Sequence, residues 1–156
     1  MAEAELRERL ELLKEAHRIK KNMASMAEED YIEVIYMLEM MHSFAKPSEI
    51  ADILGVKAPS VTEMLKKLER KGLVEYRRYR YVKLTERGRM IGERIVSKHG
   101  FLMRFFLALG VDRRRANIEA ELLEHFLSDE TIERLKEVYE KCIAPRGSAS
   151  NAGEPS

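Results

Sequence analysis

Glu121-Leu122-Leu123-Glu124-His125 places two carboxylates and an imidazole at i, i+3 and i+4. On a helix these three side chains share one face. Carboxylate oxygen and imidazole nitrogen together suit a divalent cation of the Mn/Fe/Co/Zn series. Alone the run is ordinary, because Glu and His are common on solvated helix faces. It acquires meaning only if the rest of the chain supplies more ligands and something for a bound ion to control.

The 156 residues leave room for one or two small domains. With 45% hydrophobic and 35% charged residues, the chain can build a core and falls in the soluble globular class. The formal net charge of +1 hides an uneven distribution. Lys46 to Lys98 holds 14 Lys/Arg against 7 Asp/Glu, whereas Gly110 to Lys141 holds 6 against 9. A basic segment followed by an acidic one suits one part facing a polyanion and another facing cations. The single cysteine, Cys142, excludes an internal disulfide and fits a reducing compartment. No apolar run approaches the roughly 20 residues of a membrane span. The charged N-terminus lacks a signal peptide's apolar stretch, so the expected address is the cytoplasm, without a membrane partner.

Several elements must position these groups. Ala2 to Asn22 reads as a charged amphipathic helix with Leu6, Leu10 and Leu13 on one stripe and Leu12 and Ile19 beside it. So short a stripe needs a surface to pack on, its own domain or a dimer partner. His17 reads as a surface residue. A second helix runs from about Glu28 to His42, burying Tyr31, Val34, Ile35 and Leu38. Asp30 and Glu33 lie one turn apart beside that face, and the residues alone suggest a solvated first turn favoured by the helix dipole.

Ser48 to Leu54 and Pro59 to Lys71 read as two short helices joined through Gly55, a helix-turn-helix. Ser48 is the expected cap of the first. Gly55 permits the turn, Pro59 suits the first turn of the second helix, and Gly72 ends it. Ile50, Ile53, Val56, Val61, Leu65 and Leu68 are spaced to close the small core between them. Leu73–Tyr76 and Tyr81–Leu84 then read as strands joined by the basic connection Arg77-Arg78-Tyr79-Arg80. Arginines in a hairpin can serve solubility alone. Three of them beside a helix-turn-helix favour the wing of a winged helix. A long helix follows from Thr85 to about Leu109, its far half carrying Phe101, Leu102, Phe105, Phe106 and Leu109 as core or dimer seam. Gly110-Val111-Asp112 recaps the chain. The helix of Glu121, Glu124 and His125 runs to about Leu127, and a last helix spans Ser128 to Cys142. Ala144 to Ser156, rich in Pro, Gly, Ser and Ala, reads as a disordered tail.

The second helix of such a motif enters the major groove with its N-terminal residues at the base edges. Those residues are Lys57, Pro59, Ser60, Thr62 and Glu63, with Ser48 on the preceding helix. Ser60 and Thr62 offer adaptable hydrogen bonds and Pro59 an apolar contact for a thymine methyl. Lys66, Lys67, Arg77, Arg78 and Arg80 are suited to phosphates, giving affinity and salt dependence rather than sequence choice. Without an aromatic stacking platform, double-stranded DNA is the expected partner.

Asp30-Tyr31-Ile32-Glu33-Val34-Ile35-Tyr36-Met37-Leu38, Ser60-Val61-Thr62, Arg94-Ile95-Val96-Ser97-Lys98-His99, Leu109-Gly110-Val111-Asp112 and Glu121 to Ser128 together resemble the diphtheria-toxin-repressor family, in its manganese transport regulator branch. The resemblance covers roughly Met26 to Cys142. It implies a mainly α (α+β) fold, a winged helix-turn-helix DNA-binding domain followed by an all-helical dimerisation domain, assembled as a homodimer. It also implies a metal site on Asp30, Glu33, His99, Glu121, Glu124 and His125. Iron-responsive relatives carry methionine and cysteine where this chain has Asp30 and Glu124, and carboxylates there favour the harder Mn²⁺, with Fe²⁺ the alternative.

The expected domains are a 1–25 extension helix, a 26–96 DNA-binding domain, a 97–143 helical metal-binding and dimerisation domain, and a 144–156 tail. No SH3-like third domain is expected, in keeping with the manganese branch, whereas the extension helix departs from the family. Four carboxylates and two neutral histidines carry a charge that two divalent ions balance, so two Mn²⁺ per subunit are expected, bridged by Glu121 and Glu124. The function implied is a Mn²⁺-responsive repressor of metal-uptake genes. An Fe²⁺-responsive repressor and a winged-helix regulator sensing an organic ligand are the alternatives. A di-iron redox enzyme is disfavoured, because such sites need a Glu-x-x-His run from each of two helices.

Overall fold

The computed structural model describes residues 3–21, 24–78 and 80–143. The expected tail and Tyr79 of the basic connection lie outside the described residues. Two units are distinguished, Met1–Ile95 and Val96–Ser156, and their boundary falls inside one long helix.

In the first unit, α1 (Glu3–Lys21) forms as its amphipathic pattern predicts, yet Leu6, Leu10, Leu12, Leu13 and Ile19 are all exposed. The surface expected to cover this stripe is not found among the described residues of the unit. α2 (Ala24–His42) buries Tyr31, Val34, Ile35 and Leu38 as expected, and Ile32 and Glu33 as well. An apolar stripe one face wide therefore understates its enclosure. α2 also begins four residues before the expected Glu28, which moves Asp30 and Glu33 out of its first turn. The helix dipole acts mainly over the terminal turn, so it does not account for these two acids.

α3 (Pro47–Leu54) and α4 (Ala58–Arg70) form the helix-turn-helix. Gly55 joins them at φ +64°, where a residue with a Cβ would be strained. Ser48 is not the cap of α3. Pro47 takes the first turn, and the Glu49 carboxylate accepts a hydrogen bond from the Lys46 N–H at 3.0 Å. Ile50, Val61, Leu65 and Leu68 close the core, but Ile53 is 56% exposed. On α3 the residue one turn from Ile50 that packs on this core is Leu54, at i+4.

β1 (Val74–Arg77) pairs antiparallel with β2 (Tyr81–Leu84), Val74 opposite Leu84 and Arg77 opposite Tyr81. Arg77 thus belongs to the strand, and the turn of the wing is shorter than the four-residue connection read from sequence. Ala45 adds a bridge to Val82 through N–H···O bonds of 3.0 and 2.8 Å, tying the end of α2 to the wing.

α5 (Glu86–Ala108) packs closely at two glycines. A Cβ on Gly92 would lie 2.8 Å from that of Tyr36. A Cβ on Gly88 would run into the Leu73 carbonyl, a backbone group that cannot swing aside. Overpacking a core costs about 1–3 kcal/mol, and a backbone obstacle belongs at the upper end. Gly88→Ala is therefore expected to lower stability by about 3 kcal/mol. A denaturant midpoint unchanged from wild type would contradict this.

In the second unit, α6 (Arg113–Glu124) and α7 (Asp129–Val138) follow, the latter continuing into a π-helical turn at Tyr139–Ile143. Phe101 and Leu102 of α5 pack with Ala120 and Ile132, flanked by Phe105, Phe106, Leu127, Leu135 and Tyr139. Leu109, expected on the same apolar surface, is exposed. No helix among the described residues is long and apolar enough to cross a membrane.

Candidate metal centre and nucleic-acid interface

The geometry of α6 begins at its cap, where the Asp112 carboxylate accepts from the Arg114 and Arg115 N–H groups at 3.1 and 3.2 Å. From there Ala116, Ala120 and Glu124, spaced by four, form the buried face. Ala116 and Ala120 are fully buried, and Glu124 is carried inside with them at 3% exposure. Glu121 lies beside it, about half exposed. α6 ends at Glu124, earlier than the Leu127 expected, and His125 is its C-cap at φ −78°, ψ −25°. Those angles remain helical, so the i, i+3, i+4 relation survives past the helix end. Ligand-capable atoms of Glu121, Glu124 and His125 all lie within 4.8 Å of one another.

His99, on α5, completes a cluster in this unit. Its Nδ1 lies 2.9 Å from Glu124 Oε2 and 3.5 Å from Glu121 Oε2, and its Nε2 lies 3.0 Å from Asn117 Oδ1. With acceptor oxygens at both ring nitrogens, the ring is held as an imidazolium donating on both sides. The Glu124 hydrogen bond, against the cost of burial and with help from Asn117 and the carboxylate charges, pushes the His99 pKa up to about 9. Asn117 was missed in the sequence. Its signal is spacing, because Asn117, Glu121 and Glu124 continue one face by steps of four and three.

Among the described residues, buried Glu124 Oε1 has no hydrogen-bond partner, and it lies 3.8 Å from His125 Nε2, beyond hydrogen-bond range. A buried carboxylate oxygen without a donor costs free energy that a cation would recover. Ligands bonded at about 2.0–2.2 Å sit at most about twice that apart, so a spread of 4.8 Å needs only a small contraction to fit one ion. Oxygen and nitrogen donors without sulfur suit the Mn/Fe/Co/Zn series. The residues fit a divalent metal.

In the first unit, Asp30 is half-buried and Glu33 is 4% exposed. A solvated pair of acids is therefore not what α2 carries.

The residues read for DNA divide between two faces of α4. Ser48, Thr62 and Arg80 line a concavity of about 290 Å³ together with Lys46, Pro47, Ala58 and Tyr76, so α3, the start of α4 and the wing converge there. Lys46, the N-cap of α3, and Tyr76, inside β1, were missed by sequence reasoning. Ser60, Glu63, Lys66 and Lys67 instead line a groove of about 660 Å³ with Ala27 and Tyr31 of α2. Ser60 and Thr62 are two residues apart on a helix and cannot face the same way. Lys57, Pro59, Arg77 and Arg78 are exposed. Lys67, read as a phosphate contact, pairs with Glu28 at 2.8 Å.

Two family models match, "Iron dependent repressor, N-terminal DNA binding domain" over residues 23–82 and "Iron dependent repressor, metal binding and dimerisation domain" over 85–143. The HTH-type transcriptional regulator MntR of Lysinibacillus sphaericus is 38% identical over 112 residues, 72% of this chain and 81% of that protein. Among solved structures, the manganese regulator SloR is 32% identical with a TM-score of 0.63, over 72% of this chain and 53% of that one. IdeR of T. acidophilum is 28% identical with the same TM-score and coverage. The chain thus spans about half the length of these solved relatives. With a DNA-binding half and a metal-binding, dimerising half matched in that order over nearly all the described residues beyond α1, the chain belongs to the iron-dependent repressor family, transcriptional regulators rather than enzymes.

Proposed function

We propose that this protein is a cytoplasmic, homodimeric repressor that binds operator DNA when loaded with Mn²⁺, and that its output is control of metal-uptake genes. The observation that carries the reading is Glu124, a buried carboxylate with one oxygen on the His99 imidazolium and the other without a donor among the described residues. The proposed ligand set is His99, Glu121, Glu124 and His125 with Asp30 and Glu33 of α2, the last two supported by the family resemblance. A bound divalent cation would supply positive charge that offsets the repulsion between the carboxylates. Glu124 and Glu121 present oxygens on one face, Asn117 orients the His99 ring, and His99 must surrender a proton before its nitrogen can ligate. The α2 ligands tie this event to the DNA-binding domain, proposed as residues 26–96. The helical domain, 97–143, offers exposed Leu109, Ile118, Leu122 and Phe126 as apolar surface for a dimer partner.

Manganese is favoured by the donor set, because Asp30 and Glu124 stand where iron-responsive relatives carry sulfur. Mn²⁺ binds weakly in the Irving–Williams order, so selection rests on hard ligands and coordination number. An Fe²⁺-responsive repressor is the second reading, favoured by the match to the two iron dependent repressor models. The test is an anaerobic gel shift on a duplex selected by the Mn²⁺-loaded protein, across Mn²⁺, Fe²⁺, Co²⁺ and Zn²⁺. Retention strongest with Mn²⁺ supports the proposal, equal retention with Fe²⁺ supports the second reading, and chelator-resistant binding refutes both in favour of an organic effector. Charge balance sets the stoichiometry. Four carboxylates and two neutral histidines require two divalent ions, so calorimetry is expected to give two Mn²⁺ per chain at saturation, and saturation at one would refute a binuclear site.

A further inference from the structure

We infer that Glu28 and Glu39 are positioning residues, through which α2 holds the recognition helix α4 and the wing in register with the metal ligands that α2 carries. This rests on the function proposed above. If Asp30 and Glu33 take part in the metal site, whatever the ion does to α2 reaches DNA only through the attachments of α2 to α4 and to the hairpin. Apolar packing joins these elements, but it is non-directional. Directional ties are made by two acids buried with high occupancy of their oxygens.

Glu28 is 8% exposed, and both of its oxygens are taken by α4 and its C-cap. Oε1 lies 2.8 Å from Lys67 Nζ and 2.9 Å from Lys71 Nζ, and Oε2 lies 2.7 Å from Lys71 Nζ. Burial alone would push its carboxyl up, but the two lysines more than reverse this and hold it below the ordinary carboxylate range. Glu39 has a side chain 3% exposed. Its Oε1 accepts from the N–H of Leu84, the last residue of β2, at 2.8 Å, and its Oε2 pairs with Arg89 at 2.7 Å. The two acids are eleven residues apart, so they lie on nearly the same side of α2 and roughly 16 Å apart along it. Asp30 and Glu33 fall between them. One helix thus bears the candidate ligands at its middle, a clamp on the recognition helix at one end and a clamp on the wing at the other. Lysines engaged this way act as anchors of α4 rather than as phosphate contacts.

The test uses the full chain and a duplex selected by the Mn²⁺-loaded wild type. Glu28→Gln, the double variant Lys67→Gln/Lys71→Gln, and Glu39→Gln are compared for Mn²⁺ affinity by calorimetry and for DNA affinity with and without Mn²⁺ over a range of salt. Mn²⁺ affinity is expected to stay within about twofold of wild type, while the Mn²⁺-induced gain in DNA affinity falls about threefold or more in each variant. The double lysine variant is expected to match Glu28→Gln with an unchanged salt slope. A lowered melting temperature with an undiminished gain would assign a purely structural role and overturn the inference. A salt slope reduced by about 0.9 per lysine would make Lys67 and Lys71 phosphate contacts and overturn it equally. If Glu39→Gln fails to fold, Glu28→Gln and the double lysine variant still decide the inference at the α4 clamp, and Arg89→Gln reads only the pair of Glu39 with α5 from its half-exposed side. A wild type without any Mn²⁺-induced gain removes the function the inference rests on, a result distinct from a gain that survives the substitutions.

Discussion

Glu124→Gln is expected to weaken Mn²⁺ binding by at least about 100-fold and to abolish metal-dependent DNA binding at any Mn²⁺ concentration that saturates the wild type. Losing an outer partner of a metal ligand already costs about 10–100-fold, and Glu124 is proposed as a ligand itself, shared between ions. Glutamine conserves volume on the Ala116–Ala120–Glu124 face, so α6 has no steric reason to shift. What disappears is the charge that makes the unpartnered Oε1 attractive to a cation and the strongest acceptor for His99. The His99 pKa should drop towards the ordinary imidazole value in the same variant, a second readout by NMR titration. Calorimetry with Mn²⁺ checks the main effect, alongside a metal-free thermal melt. Wild-type affinity in a folded Glu124→Gln protein would take Glu124 out of the site and remove the support for the whole metal reading.

The elements of the fold were legible for reasons that are local. Gly55 and Gly72 sit at φ +64° and +69°, conformations for which glycine is the default, so the turn and the end of α4 could be read from residue type. The carboxylate and histidine spacing in 121–125 was legible because helical geometry is periodic. What sequence concealed is burial of polar groups. Glu28, Glu33, Glu39 and Glu124 are all buried acids, and an acidic letter reads as a solvated face until its partner is known. Those partners are distant in sequence, Lys67 and Lys71 for Glu28 and the Leu84 N–H for Glu39, so no local pattern reveals them. Ser48 and Ile53 were misplaced for a related reason. Pro47 could occupy the first turn of α3 and Leu54 could face the core, and only packing decided between neighbours one position apart. Asn117 escaped because an amide is neither a metal ligand of choice nor a titrating group. Its role exists only opposite His99.

Mn²⁺ uptake is expected to release close to one proton per chain from His99 at pH 7, and Mn²⁺ affinity to fall about tenfold for each pH unit lost below 9. The folded-state pKa of His99 is raised, from an ordinary 6.5 to about 9. The protonated ring therefore contributes stability to the metal-free fold that is fully present below pH 6.5 and is lost as the pH rises through about 9. A metal ion competes with that proton for the ring nitrogen, so its binding improves over the range in which the proton leaves. Going from pH 8 to pH 6 should cost about 100-fold in affinity from this group alone. The informative interval is pH 7.5 to 8.5. An imidazole of ordinary pKa near 6.5 is already neutral there and would leave affinity flat, whereas His99 gives a slope of about one decade per pH unit. Calorimetry in two buffers of different ionisation heat counts the protons directly. Zero release at pH 7.5 with a flat affinity profile above it would show that His99 is already neutral in the metal-free protein, and that the ion pair with Glu124 does not act as the gate to the site. A slope of one decade would also make the repressor a joint sensor of metal and acidity, because the proton on His99 and the metal ion are alternatives for the same buried carboxylate.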